Sequence, residues 1–360
     1  MNKERLSRLY RSLQEQGCDA YFVTSPANVR YLSGYTGDEA YLLAAPGKNW
    51  LITDFRYREL AEREAVAFQV VMHRNSAPAL PEVVRQYCEE LGAEKLMIEK
   101  RHITYAMYAE LEKSLSGRTE IAPGNGLAEE LRYVKDPEEI VKLRIACSAT
   151  DRVFSAICDY IRPGVTEKDI AREMRYLIEK ENCDNGFSLI VASGVNGSLP
   201  HAIPQADKAV QPGELVTLDF GCLYQGYHAD MTRTVMVGVP ADWQKELYAI
   251  VQEANRRAEA LIRDGAKGKD VDAAARDYIA AQGYGEHFGH GLGHGVGLEI
   301  HEDPFMSRIC PHTLQSGCVV TVEPGIYLPG RGGCRIEDSV LVTDDGAEVL
   351  FASTKDMVIL

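Results

Sequence analysis

The sequence predicts an α+β protein in two parts, an α/β domain over residues 1–125 and a larger domain over 126–360 whose antiparallel sheet is backed by helices. Three observations carry this. At 360 residues the chain exceeds one comfortable hydrophobic core and fits a small and a large domain. Short apolar runs alternate with helical patterns up to about residue 122, as α/β units do. From residue 187 the pattern changes to strands, with two helical segments set among them.

Leu6, Leu9, Tyr10 and Leu13 recur at helical spacing within residues 5–16, and DAYFVTS then reads as a short strand leading through a turn to NVRYLSGYTG. YLLAA (41–45), WLITD (50–54) and KLMIEK (95–100) are further strands, and APGNG (122–126) is the expected linker. Asp136 is an N-cap, with Pro137 at the first helical position and Glu139 as capping-box acid. Ile140, Leu143, Cys147, Thr150, Phe154, Ile157 and Ile161 share a face of that helix, and Pro163 and Gly164 stop it. Thr166 opens a second helix, with Ile170, Met174, Leu177 and Ile178 at 3.6-residue period. Strands follow at 187–193, 215–220, 228–237, 319–328 and 334–342.

Composition narrows the function classes. The hydrophobic share of 45% and charged share of 26% are ordinary for a globular chain, which disfavours disorder, collagen and coiled coil. A net charge of −14, with no basic stripe, argues against a nucleic-acid partner. The nine cysteines are spread singly without a CxxC pair, as expected of reduced thiols in a reducing compartment. No apolar run has signal-peptide or membrane-spanning length, so a cytoplasmic address and no membrane partner are expected.

The strongest local signal is LDFGCLYQGYHADMTRT, two strands around a turn at Gln225-Gly226 that offer Asp219 and Asp230. Two carboxylates inside apolar strands repel one another unless a proton or cation lies between them. Taken alone, the pair better fits one surface aspartate and one that caps a turn. HFGHGLGHGVGLEIHE then places His287, His290, His294 and His301 together, four of the nine histidines. Its glycines let the backbone approach a ligand closely or take conformations barred to other residues. A phosphate-cradling loop is disfavoured because the G-x-G-x-x-G spacing fails and no GK[ST] follows. Glu323 in TVEPGIY and Glu337 in CRIEDS are acids in strand contexts, and Arg335 could satisfy Glu337 from the same strand face.

Four carboxylates and at least one imidazole suit a pair of divalent first-row ions such as Mn²⁺ or Co²⁺ better than a thiolate zinc site. In such pairs, with ions roughly 3.5–4 Å apart, bridging acids hold the metals and a bridging hydroxide is the nucleophile. No HExxH motif is present, which disfavours single-zinc protease chemistry.

The succession LDFG, HADMTRT, GHGLGHGVGLEIHE, VEPGIY and IEDSVLV resembles the pita-bread metallopeptidases of the aminopeptidase P and prolidase group. NVRYLSGYTG and TDFRY resemble that group's creatinase-like first domain, and ELRYVKDPEEIVKLR its domain junction, so the likeness covers essentially the whole chain. The resemblance implies that Asp219 binds one metal, that Asp230 and Glu337 bridge both, and that His294 and Glu323 complete the second. It implies Mn²⁺ as the metal, with Co²⁺ or Zn²⁺ as alternatives, and Glu323 as proton shuttle between the water nucleophile and the leaving nitrogen. His201 and His301 would stabilise the substrate carbonyl and the tetrahedral intermediate, although His201 also fits a loop closure before Pro204. His290 would line the proline side of the pocket or be a satisfied loop histidine, Arg335 would anchor Glu337 or a substrate carboxylate, and His228 fits packing or support behind the ligands better than metal binding.

The implied activity is hydrolysis of the Xaa-Pro bond at the N-terminus of proline-containing peptides, of the aminopeptidase P type, by a homodimer. The alternatives are an Xaa-Pro dipeptidase (prolidase), a catalytically silent binding protein, and a metal-free creatinase-like relative.

Overall fold

The computed structural model describes residues 2–74 and 77–360, and the chain divides into one unit ending at Arg132 and another beginning at Tyr133. The first unit contains α1 (Asn2–Glu15), β1 (Ala20–Val23), α2 (Pro26–Ser33), β2 (Ala40–Ala45), β3 (Lys48–Thr53), α3 (Arg58–Glu64) and β4 (Gln69–Met72). It continues with α4 (Leu80–Leu91), β5 (Lys95–Glu99), α5 (Tyr105–Leu115), β6 (Glu120–Gly124) and α6 (Leu127–Tyr133). Among the described residues its strands form one mixed sheet in the order β4-β3-β2-β1-β5-β6. Two elements depart from the sequence reading. NVRYLSGYTG is largely helical, because Ser25 caps Asn28 N, Pro26 fixes the first turn and Gly34 ends α2 at φ 81°. Residues 122–124 of the expected linker belong to edge strand β6, paired in parallel with β5, and Pro123 is tolerated because an edge needs one fewer donor.

The second unit begins with α7 (Pro137–Tyr160) and α8 (Glu167–Lys180). Asp136 caps α7 through Glu138 N and Glu139 N, and Glu139 reaches back to close the capping box. The strands β7 (Asp184–Asn185), β8 (Ile190–Ser193), β9 (Glu214–Phe220), β10 (Cys222–Tyr224), β11 (Tyr227–His228) and β12 (Met231–Val237) follow. After α9 (Asp242–Glu259) and α10 (Gly268–Ala281) come β13 (Gly293–Gly295), β14 (Glu302–Met306), β15 (Val319–Val322), β16 (Gly325–Leu328), β17 (Gly332–Arg335), β18 (Asp338–Val342) and β19 (Ala347–Val349). The antiparallel character is as the sequence suggests, but it is spread over several small sheets, among them β12-β9-β8 and β14-β13-β15-β18-β19.

Two large clusters of buried side chains, and a small third one at Ile190, Ala192 and Ala202, hold this unit. Cys147, Phe154, Ile170 and Met174 of α7 and α8 pack with Val216, Leu218 and Val235 of β9 and β12. Leu247, Val251, Ala275 and Ile279 of α9 and α10 pack with Val320, Val322 and Val340 of β15 and β18. Strand alternation then sends the even-numbered apolar residues of β9 into the helix layer and leaves Asp219 on the other face. Burying each large apolar side chain contributes roughly 1.5–3 kcal/mol, which fixes the register that aims the acids.

Candidate metal centre

Asp219 and Asp230 come together through a hairpin whose turn residues, Gln225 and Gly226, both have positive φ, at 47° and 84°. That is the two-residue geometry whose twist matches the flanking strands. In the longer ladder Asp219 pairs with Thr232, not with Asp230. Asp230 precedes β12 and shares a face with Thr232, two residues on, so the acids are diagonal neighbours.

Glu323 and Glu337 also differ from their sequence assignment. Each was expected inside one continuous strand, and each lies in a break: Glu323 between β15 and β16, Glu337 between β17 and β18. Pro324 supplies no donor to continue the first ladder. Glu323 N instead donates to Leu292 O at 2.8 Å, and Glu337 N to Thr232 O at 3.0 Å.

His294 is the centre of β13, flanked by glycines for a steric reason. A Cβ on Gly293 would stand 2.0 Å from Thr321 O, and one on Gly295 2.4 Å from Asp303 O. The close approach that the sequence suggested for a ligand is made by the backbones of β14 and β15. The loop before β13 is tied to α10: Arg276 pairs with Asp272 at 2.6 Å and donates to Phe288 O (2.9 Å) and His290 O (2.7 Å). Lys135 reaches Glu302 at 2.7 Å in a buried pair beside His301.

These elements surround a cavity of about 460 Å³ lined by all nine expected site residues: His201, Asp219, Asp230, His290, His294, His301, Glu323, Arg335 and Glu337. His228 and His287 do not line it. His294 Nδ1 contacts Gly295 O at 3.1 Å, which leaves Nε2 to face Asp230 Oδ2 at 3.6 Å and Glu323 Oε1 at 3.4 Å. Burial pushes the His294 ring down to about 4, so it is the neutral imidazole a metal requires. Burial and then the neighbouring carboxylates push Asp230 and Glu337 well above the usual range. Burial also lifts Glu323 to about 8, against the pull of Arg335.

Arg335 pairs with Asp219, Nη2 to Oδ2 at 2.5 Å, and donates to Tyr327 OH at 2.8 Å and Thr232 Oγ1 at 3.0 Å. It reaches Glu337 only through Thr232, whose hydroxyl donates to Glu337 Oε2 at 2.6 Å. The direct Arg335–Glu337 contact read from their shared strand face is thus replaced, because the strand breaks between them. Thr232 and Tyr327 were not singled out in sequence, although both lie inside the quoted motifs. The available signal for Thr232 was its i+2 spacing from Asp230. His290 Nε2 meets Tyr327 OH at 2.9 Å, while the ring of His301 packs edge-on against His294 at 4.4 Å.

The donor set fits divalent cations. Among the described residues, Asp230, His294 and Glu337 offer ligand atoms that all lie within 4.8 Å of one another. Asp219 Oδ1 is buried without a hydrogen-bond partner although its other oxygen is paired. Four clustered acids with one arginine leave negative charge that protons or metal must offset.

Comparison with known proteins shows the family. The model of metallopeptidase family M24 matches residues 141–344, and the creatinase/prolidase N-terminal domain matches residues 5–134. The chain belongs to metallopeptidase family M24. It is 36% identical to an Xaa-Pro dipeptidase of Pyrococcus furiosus, covering 99% of each chain. The solved Xaa-Pro dipeptidase from Bacillus anthracis superposes with a TM-score of 0.96 at 40% identity over 100% of both chains. The X-Pro aminopeptidase structure from Thermotoga maritima superposes with a TM-score of 0.91 at 35% identity over 99% of both. This M24 member is therefore a peptidase with a creatinase-type first domain and a pita-bread second domain, as the motifs suggested. Among the described residues, no helix is long and apolar enough to cross a membrane.

Proposed function

We propose that this chain is a cytoplasmic, metal-dependent Xaa-Pro peptidase whose better substrates are dipeptides. The observation that carries it is the convergence of Asp219, Asp230, His294, Glu323 and Glu337 on one cavity. Asp219, Asp230 and Glu337 would hold the metal, with His294 and Glu323 completing a site for two divalent ions, Mn²⁺ first and Co²⁺ or Zn²⁺ as alternatives. When bound, the ions would polarise the substrate carbonyl and acidify water.

The protein's own groups do the rest. Glu323, in the cavity wall, takes a proton from the attacking water and returns it to the leaving proline nitrogen. His201 and His301 donate to the carbonyl oxygen as it gains charge. His290, pushed down to about 4 mainly by burial, stays neutral and, with Tyr327, shapes one wall. Phe187, Ile190, Ile300 and Phe305 give the cavity apolar surface for a proline ring and the residue before it.

Preference for dipeptides draws support from the Pyrococcus and Bacillus dipeptidases. The aminopeptidase P reading is favoured by the Thermotoga aminopeptidase, and only kinetics separates the two. Metal-stripped protein should cut an Xaa-Pro dipeptide after Mn²⁺ addition and cut the matched Xaa-Pro-Yaa tripeptide more slowly, with Asp230→Ala inactive on both. Equal rates on the two peptides would restore the aminopeptidase reading, and no cutting with any of the three metals would favour a silent binding protein. Homodimerisation, expected of this group, is tested by sedimentation mass at micromolar concentration.

A further inference from the structure

We infer that Arg233 and Lys355 are positioning residues for the carboxylate cluster, acting through the main chain rather than in the cavity. Glu323 and Glu337 lie in strand breaks, where no continuous ladder fixes the backbone. Side-chain donors there supplement the main-chain bonds of Glu323 N and Glu337 N. Arg233 Nη1 donates to Glu337 O at 2.5 Å and to Thr232 O at 3.0 Å, while Nη2 pairs with Asp338 at 2.7 Å. Asn255 Nδ2 donates at 2.9 Å to Val322 O, in the residue before Glu323.

The C-terminal segment joins these two anchors. Arg233 also donates to Ser353 O and Thr354 O, both at 2.9 Å. Lys355 Nζ contacts Asp338 Oδ2 at 3.0 Å, Glu259 at 2.7 Å and Asn255 Oδ1 at 3.0 Å. One connected network thus grips the chain beside both acids, and neither Arg233 nor Lys355 lines the cavity. Arg233 and Asp338 are only 1% and 0% exposed, so the network holds one geometry while its partners are all present. Loosening it should spread the ligand positions, and ligands need sub-ångström placement.

The inference rests on the proposed metal binding, so the test measures that first. Mn²⁺ affinity of the full-length metal-stripped parent is read by titration calorimetry well below its melting temperature, then that of Lys355→Met. The expected result is tight binding by the parent and binding weaker by about 10- to 100-fold in the variant, the range for groups that orient ligands from behind. If Lys355→Met does not fold, Glu259→Gln decides by the same reading. A folded variant that melts earlier yet binds Mn²⁺ as tightly as the parent would overturn the positioning role and leave a structural one. A parent that binds no divalent cation would instead remove the metal reading itself.

Discussion

The Arg335 guanidinium meets the Asp219 carboxylate at 2.5 Å, tying the end of β17 to β9 at the wall of the cavity. Removing one partner of a buried pair leaves the other uncompensated, at a cost of about 3–5 kcal/mol. Arg335→Met should therefore lower the urea midpoint of the metal-free protein sharply. Divalent cation should restore part of the loss by neutralising Asp219, and an unchanged midpoint would show that Asp219 does not depend on this arginine.

Thr232 connects that pair to Glu337, accepting from Arg335 Nε and donating to Glu337 Oε2. Thr232→Val keeps the shape and removes both bonds. The expected cost is about 1–3 kcal/mol in stability, with weaker Mn²⁺ binding as Glu337 loses its tether. Denaturant unfolding and metal titration on the same preparation check the two effects.

Tyr327 OH joins Arg335 Nη1 at 2.8 Å and His290 Nε2 at 2.9 Å. Tyr327→Phe should lower kcat/KM for an Xaa-Pro dipeptide by roughly tenfold, about 1.4 kcal/mol, while Mn²⁺ affinity stays near that of the parent. A parallel loss of metal affinity would place Tyr327 in the metal framework instead.

Without metal, stability should fall as pH rises above neutrality. Glu323 stands at about 8 in the fold, raised first by burial and then by Asp219, and Asp230 and Glu337 are raised for like reasons. A raised carboxylate stabilises below its unfolded value and loses that contribution as pH climbs through the folded one. His228, His290 and His294, each lowered to about 4, act oppositely and lose their contribution as pH falls below about 6.5. The melting temperature of metal-free protein should thus drop between pH 6.5 and 8.5, and saturating Mn²⁺ should flatten the profile. A flat profile without metal would contradict the burial of these acids.

Gly293→Ala tests why the loop is glycine-rich. The new Cβ would meet Thr321 O at 2.0 Å, backbone that cannot swing aside. Overpacking of this kind costs about 1–3 kcal/mol, and displacement of His294 should reduce metal affinity as well. Calorimetry on the folded variant reads both.

Much of this architecture was legible because its signals are local. The capping box at Asp136 and Glu139, the turn at Gln225-Gly226 and the helical periods of α7 and α8 each involve residues a few positions apart. The residues that line the cavity were picked out through motif resemblance, and chemistry alone favoured a surface and a turn-capping role for the two aspartates. The breaks at Glu323 and Glu337 escaped notice because the flanking apolar pattern runs through them; Pro324 was a local signal for the first, whereas only tertiary pairing decides the second. Tyr327 and Thr232 escaped for a related reason: their partners, His290 and Arg335, lie far away in sequence.

The interrupted strands also bear on how this framework is inherited. Glu323 and Glu337 sit between strands and Asp230 sits ahead of β12, so exchanging these side chains leaves the strand pairings on either side intact. A lineage can therefore drift away from the reaction while its sheets persist. Descent along this scaffold guarantees shape, and each descendant's chemistry has to be read from its own acids.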